Sequence, residues 1–440
     1  MWTKQRRALL ADDFTGALDT GIQFLGEDRK PLLTIPDGGP RAASFQEDAR
    51  EPPELLVVDT ESRFLEERAA AAAVSTATRE LRAAGYSPFF KKIDSTFRGN
   101  VGAELDAMLE QLKAPAVAVV PAVPRNGRTL EDGVVYVHGV PLAESESGRD
   151  PFTPNRSSSA REILAEQTGR SINEVSLEAV SRGPEELARR VERALSEGGE
   201  FLIFDSRTEA DLRSIAEGVR LLGQPLLLAG ASGFAAALVA AEAGPAARDR
   251  QRSVGEHLLP PGRGLIVAGS LMETTIVQAE RLSSEAPSVG TLRVDVKEAL
   301  ISPAKERERL LASARRLLSK RNHLLLRTVA DGESAGPVSK GEGLELAEFV
   351  GVLSREILRE VSLDTLILTG GGTALAVAHA VGIDRLRITG EVQSGVPLSE
   401  ATSRILRREY RIVTKAGGFG GSDALLGMVA ALDGRVAATG

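Results

Sequence analysis

A chain of 440 residues exceeds what one ordinary hydrophobic core supports, so two domains are expected. Its 42% hydrophobic and 26% charged content are those of a globular protein, no apolar run is long enough to span a bilayer, and the lack of cysteine excludes disulfides, thiolate metal sites and thiol catalysis. A formal net charge of −7 argues against general nucleic-acid binding, and the short apolar run after Met1–Arg7 is no signal-peptide core, which leaves the cytoplasm as the expected location.

Along the chain, short apolar runs alternate with longer helix-type segments. The first predicted strand, Ala8–Leu10, runs into Asp12-Asp13-Phe14-Thr15-Gly16. The second, Leu55–Val58, is followed by Asp59-Thr60-Glu61-Ser62-Arg63 and a helix over Glu66–Ala84. A third, Pro88–Ile93, leads into Asp94-Ser95-Thr96-Phe97-Arg98-Gly99-Asn100. After Ala116–Val120 comes a Pro- and Gly-rich stretch, Val123–Arg161, long enough to be a lid or an insert. Helices Pro184–Ser196 and Glu209–Leu222 alternate with strands Phe201–Phe204 and Leu226–Ala229. Pro, Gly and charge punctuate 244–263, which reads as a linker between domains 1–243 and 264–440. A second series of strands follows: Leu265–Ala268, Thr291–Val294, His323–Arg327, Thr365–Leu368, Leu386–Ile388 and Arg411–Val413. Between them lie helices Thr274–Ser284, Pro303–Ser319, Gly343–Val361 and Thr373–Val381, with a polar loop at Ala330–Gly343. The alternation predicts an α/β protein of two α/β domains with largely parallel sheets.

The chemically useful residues stand just after apolar runs, where open α/β sheets bind ligands. The Asp12-Asp13 pair suits a substrate hydroxyl, a proton or a magnesium ion, although one aspartate at that place could simply cap the next helix. Arg98 and Lys92 suit a carboxylate, with Asp94 and Ser95 on hydroxyl groups and Arg63 a further cation at the same edge. His138 reads as a loop or packing histidine rather than a base. In the second half, Gly370-Gly371-Gly372-Thr373 follows one strand, and Lys415-Ala416-Gly417-Gly418-Phe419-Gly420-Gly421-Ser422-Asp423 follows another. Glycines let backbone N–H groups reach an anion, and the start of a helix adds partial positive charge. Ser270, after Leu265–Ala268, caps the next helix, bonds a nucleotide phosphate or faces water; Asp423 is either the acid that ends the anion-binding turn or only an N-cap. Neither a P-loop, a protein-kinase signature, His-Glu-x-x-His, nor Gly-x-Gly-x-x-Gly after the first strand is present.

These motifs resemble the four-carbon acid sugar kinases over nearly the whole chain. The carriers are Ala11-Asp12-Asp13-Phe14-Thr15-Gly16, Lys92-Ile93-Asp94-Ser95-Thr96 with Arg98-Gly99-Asn100, the loop from Gly127-Arg128 to Asp150-Pro151, and Lys415-Ala416-Gly417-Gly418-Phe419-Gly420. The resemblance implies a sugar-acid domain before a nucleotide domain, with the active site in the cleft between them. It implies substrate contacts at Asp12, Asp13, Arg63, Lys92, Ile93, Asp94 and Ser95, and ATP contacts at Ser270, Gly370, Gly371, Gly372, Thr373 and Gly417. Arg98, Lys415 and Gly418 join them from the residue reading. Two departures stand out: the family's usual acid is replaced by Gly372, and the segment after Ser270 lacks a second serine.

The expected activity is ATP- and Mg2+-dependent phosphorylation of a hydroxyl, the terminal one, on a small four-carbon acid. Asp13 is the first choice of base; Asp12, Asp94 and Asp423 are alternatives. No metal ligand set is assigned. The expected partners are the acid and ATP, with no nucleic acid and no membrane; a homo-oligomer is compatible with the sequence. The rival readings are a nucleotide-dependent sugar-acid dehydrogenase and a sugar-acid sensor without turnover, the latter motivated by Gly372.

Overall fold

The computed structural model describes residues 6–26, 30–35, 52–150, 153–243, 259–269, 272–329, 339–393 and 395–435. The chain divides into two compact units, Met1–Ser253 and Val254–Gly440. Most of the predicted linker 244–263, most of the loop at Ala330–Gly343, and Ser270 lie outside the described residues. Among those described, no helix is long and apolar enough to cross a membrane.

The first unit carries β1 (Arg7–Ala11), β2 (Leu32–Thr34), β3 (Leu55–Asp59), β4 (Ser87–Lys92), β5 (Val117–Val120), β6 (Arg128–Glu131), β7 (Val134–Val137), β8 (Val140–Pro141), β9 (Ile172–Val175), β10 (Phe201–Phe204) and β11 (Leu227–Gly230). Its main sheet has the order β2-β3-β1-β4-β11-β5-β10-β9, and every neighbouring pair is parallel. Strands β3, β5 and β10 are buried at every residue, the pattern of a sheet covered on both faces. Helix Glu67–Ala83 supplies part of that cover with Ala70, Val74, Ala77 and Leu81, spaced to fall on one helical stripe. Each fully buried Val, Leu or Phe side chain of the core contributes about 1.5–3 kcal/mol.

Register sets the site. Ala11 of β1 lies opposite Asp59 of β3 and Lys92 of β4, so three polar segments leave the sheet at one edge. The backbone tightens this: Thr60 N–H donates to Ala11 O at 2.9 Å and Arg63 N–H to Asp12 O at 3.2 Å. The stretch Val123–Arg161 is not an unstructured lid. It forms the antiparallel sheet β6-β7-β8, whose turns hold Asp132-Gly133 and His138-Gly139 with positive φ, as two-residue hairpins require. Leu130 and Ser206 exchange backbone hydrogen bonds, which ties this sheet to the segment after β10.

The second unit carries β12 (Gly264–Ala268), β13 (Val289–Asp295), β14 (His323–Val329), β15 (Thr365–Thr369), β16 (Arg385–Gln393), β17 (Val396–Ser403) and β18 (Arg408–Lys415). Strands β13-β14-β12-β15-β18 run parallel, and β17 and β16 then continue the sheet antiparallel. The core packs Ile266, Ile367 and Val413 with Leu282 of helix Glu273–Glu285 and Leu425, Met428 and Leu432 of helix Ala424–Leu432. Arg327, Ala268, Thr369 and Lys415 are register partners across four adjacent strands, at the end from which the glycine turns depart.

Candidate active site

At the carboxyl edge of the first sheet, carboxylates and cations form one network. Arg63 is its hub: Nε and Nη2 donate to the two Asp12 oxygens at 2.7 and 3.0 Å, and Nη2 donates to Asp13 Oδ1 at 2.6 Å. Arg63 Nη1 also stands 3.7 Å from Asp94 Oδ2. Arg98 grips both Asp94 oxygens, at 3.2 and 2.7 Å, and reaches Asp150 Oδ2 at 3.2 Å. Asp94 further accepts from the N–H and hydroxyl of Thr96. Asp13 occupies the N-cap position of helix Phe14–Gly21 yet makes no cap bond; instead it accepts from Thr15 Oγ1 at 2.8 Å. Beneath, Lys91 and Glu104 form a fully buried ion pair at 2.6 Å.

Electrostatics follow from this packing. Burial pushes the Asp94 carboxyl up, but Arg98 and Arg63 outweigh it and hold Asp94 well below the usual carboxylate range. Asp12 is likewise lowered against its burial by Arg63, Lys91 and Lys92. The Arg98 guanidinium is raised mainly by Asp94. Burial and the neighbouring Glu61 drive Asp59 the other way, well above its ordinary value; burial also raises Glu61. Glu61 takes a positive φ of 49°, rare for a residue with a side chain, at the point where β3 gives way to the network.

Two cations in this region have no carboxylate partner among the described residues. Lys92 is buried and donates to Ile93 O at 2.8 Å. It lies over the start of helix Phe14–Gly21, where a Cβ on Gly16 would sit 2.8 Å from Lys92 Nζ and against Asp13 Oδ1. Arg128, at the head of β6, donates to Asn126 O at 3.2 Å. Burial lowers its pKa, and Asp94 and Arg98 are the next largest influences on it. Ile93 contributes only backbone, its side chain being core, and Ser95 is half-buried with its hydroxyl bonded to no described residue. The structure therefore gathers Asp12, Asp13, Arg63, Lys92, Asp94 and Arg98, and adds Arg128, which the sequence showed only as part of a loop.

In the second unit the turns after β12, β15 and β18 interlock. A Cβ on Gly269 would overlap Thr373, Gly370 N–H donates to Lys415 O at 3.1 Å, and Thr275 Oγ1 donates to Gly417 O at 2.9 Å. Gly370, with φ 93°, precedes helix Gly371–Val381, and Gly420 has φ 82°; both are conformations that glycine adopts without strain. Lys415 is 1% exposed, and burial pushes its ammonium down to about 8. Asp423 stands at the N-cap of helix Ala424–Leu432 and makes no cap bond. Glycine turns before helices, beside a Lys415 that forms no ion pair with a carboxylate among the described residues, fit the phosphates of a nucleotide. No group of three or more His, Cys, Asp or Glu among the described residues is arranged to hold a metal ion.

Two family models match the chain. A family model described as a sugar-binding N-terminal domain matches residues 8–238, and one described as a nucleotide-binding C-terminal domain matches 265–425. The chain is 33% identical over 437 residues to a D-threonate kinase of Salmonella typhimurium, covering 95% of this chain and 96% of that one. It is 30% identical to a D-erythronate kinase of Heliobacterium modesticaldum, covering 94% of each chain. A 3-oxo-tetronate kinase of Burkholderia multivorans is also 30% identical, with 97% of each chain covered. Solved structures from Salmonella typhimurium LT2 and Haemophilus influenzae share the fold, with TM-scores of 0.77 and 0.68 at 24% and 21% identity. Each alignment covers 97% of this chain, with 98% and 100% of theirs.

Proposed function

The chain belongs to the four-carbon acid sugar kinase family, and on that premise we propose that it is an ATP-dependent kinase of a small four-carbon sugar acid. The acceptor is a hydroxyl, the terminal one, of an acid such as threonate, erythronate or an oxo-tetronate. One observation carries the assignment of the acid to the first unit. Lys92 and Arg128 form no direct ion pair with a described carboxylate yet stand beside a lattice of carboxylates, the combination that a molecule with one carboxylate and several hydroxyls needs.

In this reading Lys92 and Arg128 take the substrate carboxylate, with the outer N–H groups of Arg63 and Arg98 alongside. Asp12, Asp94, Ser95 and the backbone of Ile93 orient hydroxyls. Asp13 accepts the proton of the reacting hydroxyl; its aim is fixed by Arg63 at 2.6 Å and Thr15 at 2.8 Å, and Gly16 keeps the space beside it open. Ser270, Gly370, Gly371, Gly372, Thr373, Lys415, Gly417 and Gly418 form the nucleotide end. When bound, ATP would supply the phosphoryl group, and Mg2+ arriving on its phosphates, without a protein cage of its own, would offset their charge. The cytoplasm, where ATP is supplied, is the location this activity requires.

The test is a panel of four-carbon acids with ATP and Mg2+, read by coupled detection of ADP. Turnover with at least one acid is expected, and none with nicotinamide cofactors in place of ATP. Absence of ADP formation with every acid in the panel would end the kinase reading. Thermal stabilisation by an acid without turnover would leave a sensor in its place.

A further inference from the structure

The turn after β18 has its carbonyls, rather than its N–H groups, bonded by side chains. Lys415 Nζ donates to the carbonyl oxygens of Ala416, Gly417 and Phe419 at 3.0, 3.4 and 2.8 Å. From helix Glu273–Glu285, Gln278 Nε2 donates to those of Phe419, Gly420 and Gly421 at 3.1, 3.1 and 2.8 Å, and Thr275 adds its bond to Gly417. In a trans peptide the N–H of the next residue points opposite to the carbonyl. No peptide bond described is cis, so the N–H groups of Gly417, Gly418, Gly420, Gly421 and Ser422 are turned away from Lys415 and Gln278. Those same N–H groups donate to no acceptor among the described residues.

The arrangement is expensive unless it serves a purpose. Gln278 is wholly buried in mid-helix and its Oε1 accepts nothing. Lys415 has no carboxylate partner among the described residues. Four glycines in a row of six residues would not keep one shape unaided.

We infer that Lys415 and Gln278 are positioning residues for the nucleotide phosphates, holding the turn from behind so that its N–H groups form one donor face. This deepens the kinase reading and rests on it. Lys415 then acts through the loop, its charge lying behind the peptides that meet the anion. An anion on the donor face and a proton on Lys415 favour each other, so binding of either strengthens the other. The other charged groups near the turn are Arg281, whose Nη1 donates to Ser422 Oγ at 2.9 Å, Asp423 in the turn itself, and the Glu280–Arg327 pair at 3.3 Å from the same helix and β14.

The experiment is calorimetric titration of the full chain with ADP and Mg2+ across alkaline pH, where the nucleotide phosphates are already ionised. For the wild type, affinity is expected to hold steady below the Lys415 value of about 8 and to fall by roughly tenfold per pH unit above it. Lys415→Met is expected to bind ADP about tenfold more weakly near neutrality and to lose the pH dependence. Gln278→Leu is expected to weaken binding by a similar factor, about tenfold, and to keep the dependence. Neither should change the KM of the acid. A flat wild-type profile, or ADP affinity within about twofold of wild type in both folded variants, overturns the inference while leaving the kinase reading intact. The wild-type profile decides the matter alone if a variant fails to fold. Failure of the wild type to bind ADP at any pH would sink the inference and the nucleotide site together.

Discussion

Asp13 owes its place to Arg63 and Thr15 rather than to the helix it precedes. Replacing it with Asn keeps an oxygen for Arg63, turns an amide N–H toward the Thr15 hydroxyl, which can accept it, and removes the charge that takes a proton. Asp13→Asn is therefore expected to lower turnover by about 10²–10⁴ while ADP affinity stays unchanged, measured by steady-state kinetics and calorimetry. Near-normal turnover would move the base to Asp12, Asp94 or Asp423. Arg128 makes a different prediction, because it has no carboxylate to release. Arg128→Met should raise the KM for the acid by about 10–100-fold, the worth of a charge-assisted contact, without changing that for ATP. An unchanged acid KM would remove Arg128 from the substrate site. The contrast shows what the sequence could reveal. Asp12, Arg63, Lys92, Asp94 and Arg98 each stand within a few residues of the end of an apolar run, a position that marks them as strand-end side chains. Arg128 begins a short half-exposed strand inside a Pro- and Gly-rich stretch, and only the pairing of β6 with β7 orders it.

At the scale of elements, the buried parallel strands were legible because a strand covered on both faces needs an unbroken apolar run; β10 was predicted to the residue. Strand β17 was missed. Its sequence, VPLSEATS, has a proline and four hydroxyl or acidic residues, and it becomes a strand through its antiparallel neighbours β16 and β18. The β6-β7 hairpin does carry a sequence signal, Asp132-Gly133 between Thr129-Leu130-Glu131 and Val134-Val135, but in a stretch so rich in Pro and Gly it reads as loop punctuation. Helix Gly371–Val381 bears on the family departure at Gly372. A Cβ there meets nothing within 4 Å, and the residue sits in the first turn, where an acid favours the helix dipole. Gly372→Asp should therefore fold, gaining about 0.5–1 kcal/mol from the loss of a helical glycine, read as a higher denaturant midpoint. Its effect on ADP should change sign with the metal: weaker binding in EDTA, where two negative charges meet, and stronger binding in Mg2+. Equal effects in both conditions would show that residue 372 faces neither phosphate nor metal.

For the molecule as a whole, the buried carboxyls of the first unit pull stability in opposite directions with pH. Asp12 and Asp94 are lowered in the folded state, so the stability they contribute is present above their unfolded value and lost as acid takes pH down through the folded one. Asp59 and Glu61 are raised, chiefly by burial, so the folded state binds the extra proton and stability falls as pH climbs from the unfolded value toward the folded one. Asparagine at 59 has no charge to suppress, and its Oδ1 can still accept the Glu61 N–H that Asp59 holds at 3.0 Å. Asp59→Asn is thus expected to exceed wild type in stability at neutral pH by ~1 kcal/mol or more, with the gap closing below about pH 4, where both states of the wild type are protonated. Chemical denaturation of the two proteins at both pH values, comparing midpoints, checks it. A variant less stable than wild type at neutral pH would mean that Asp59 is ionised and favourably paired in the folded protein.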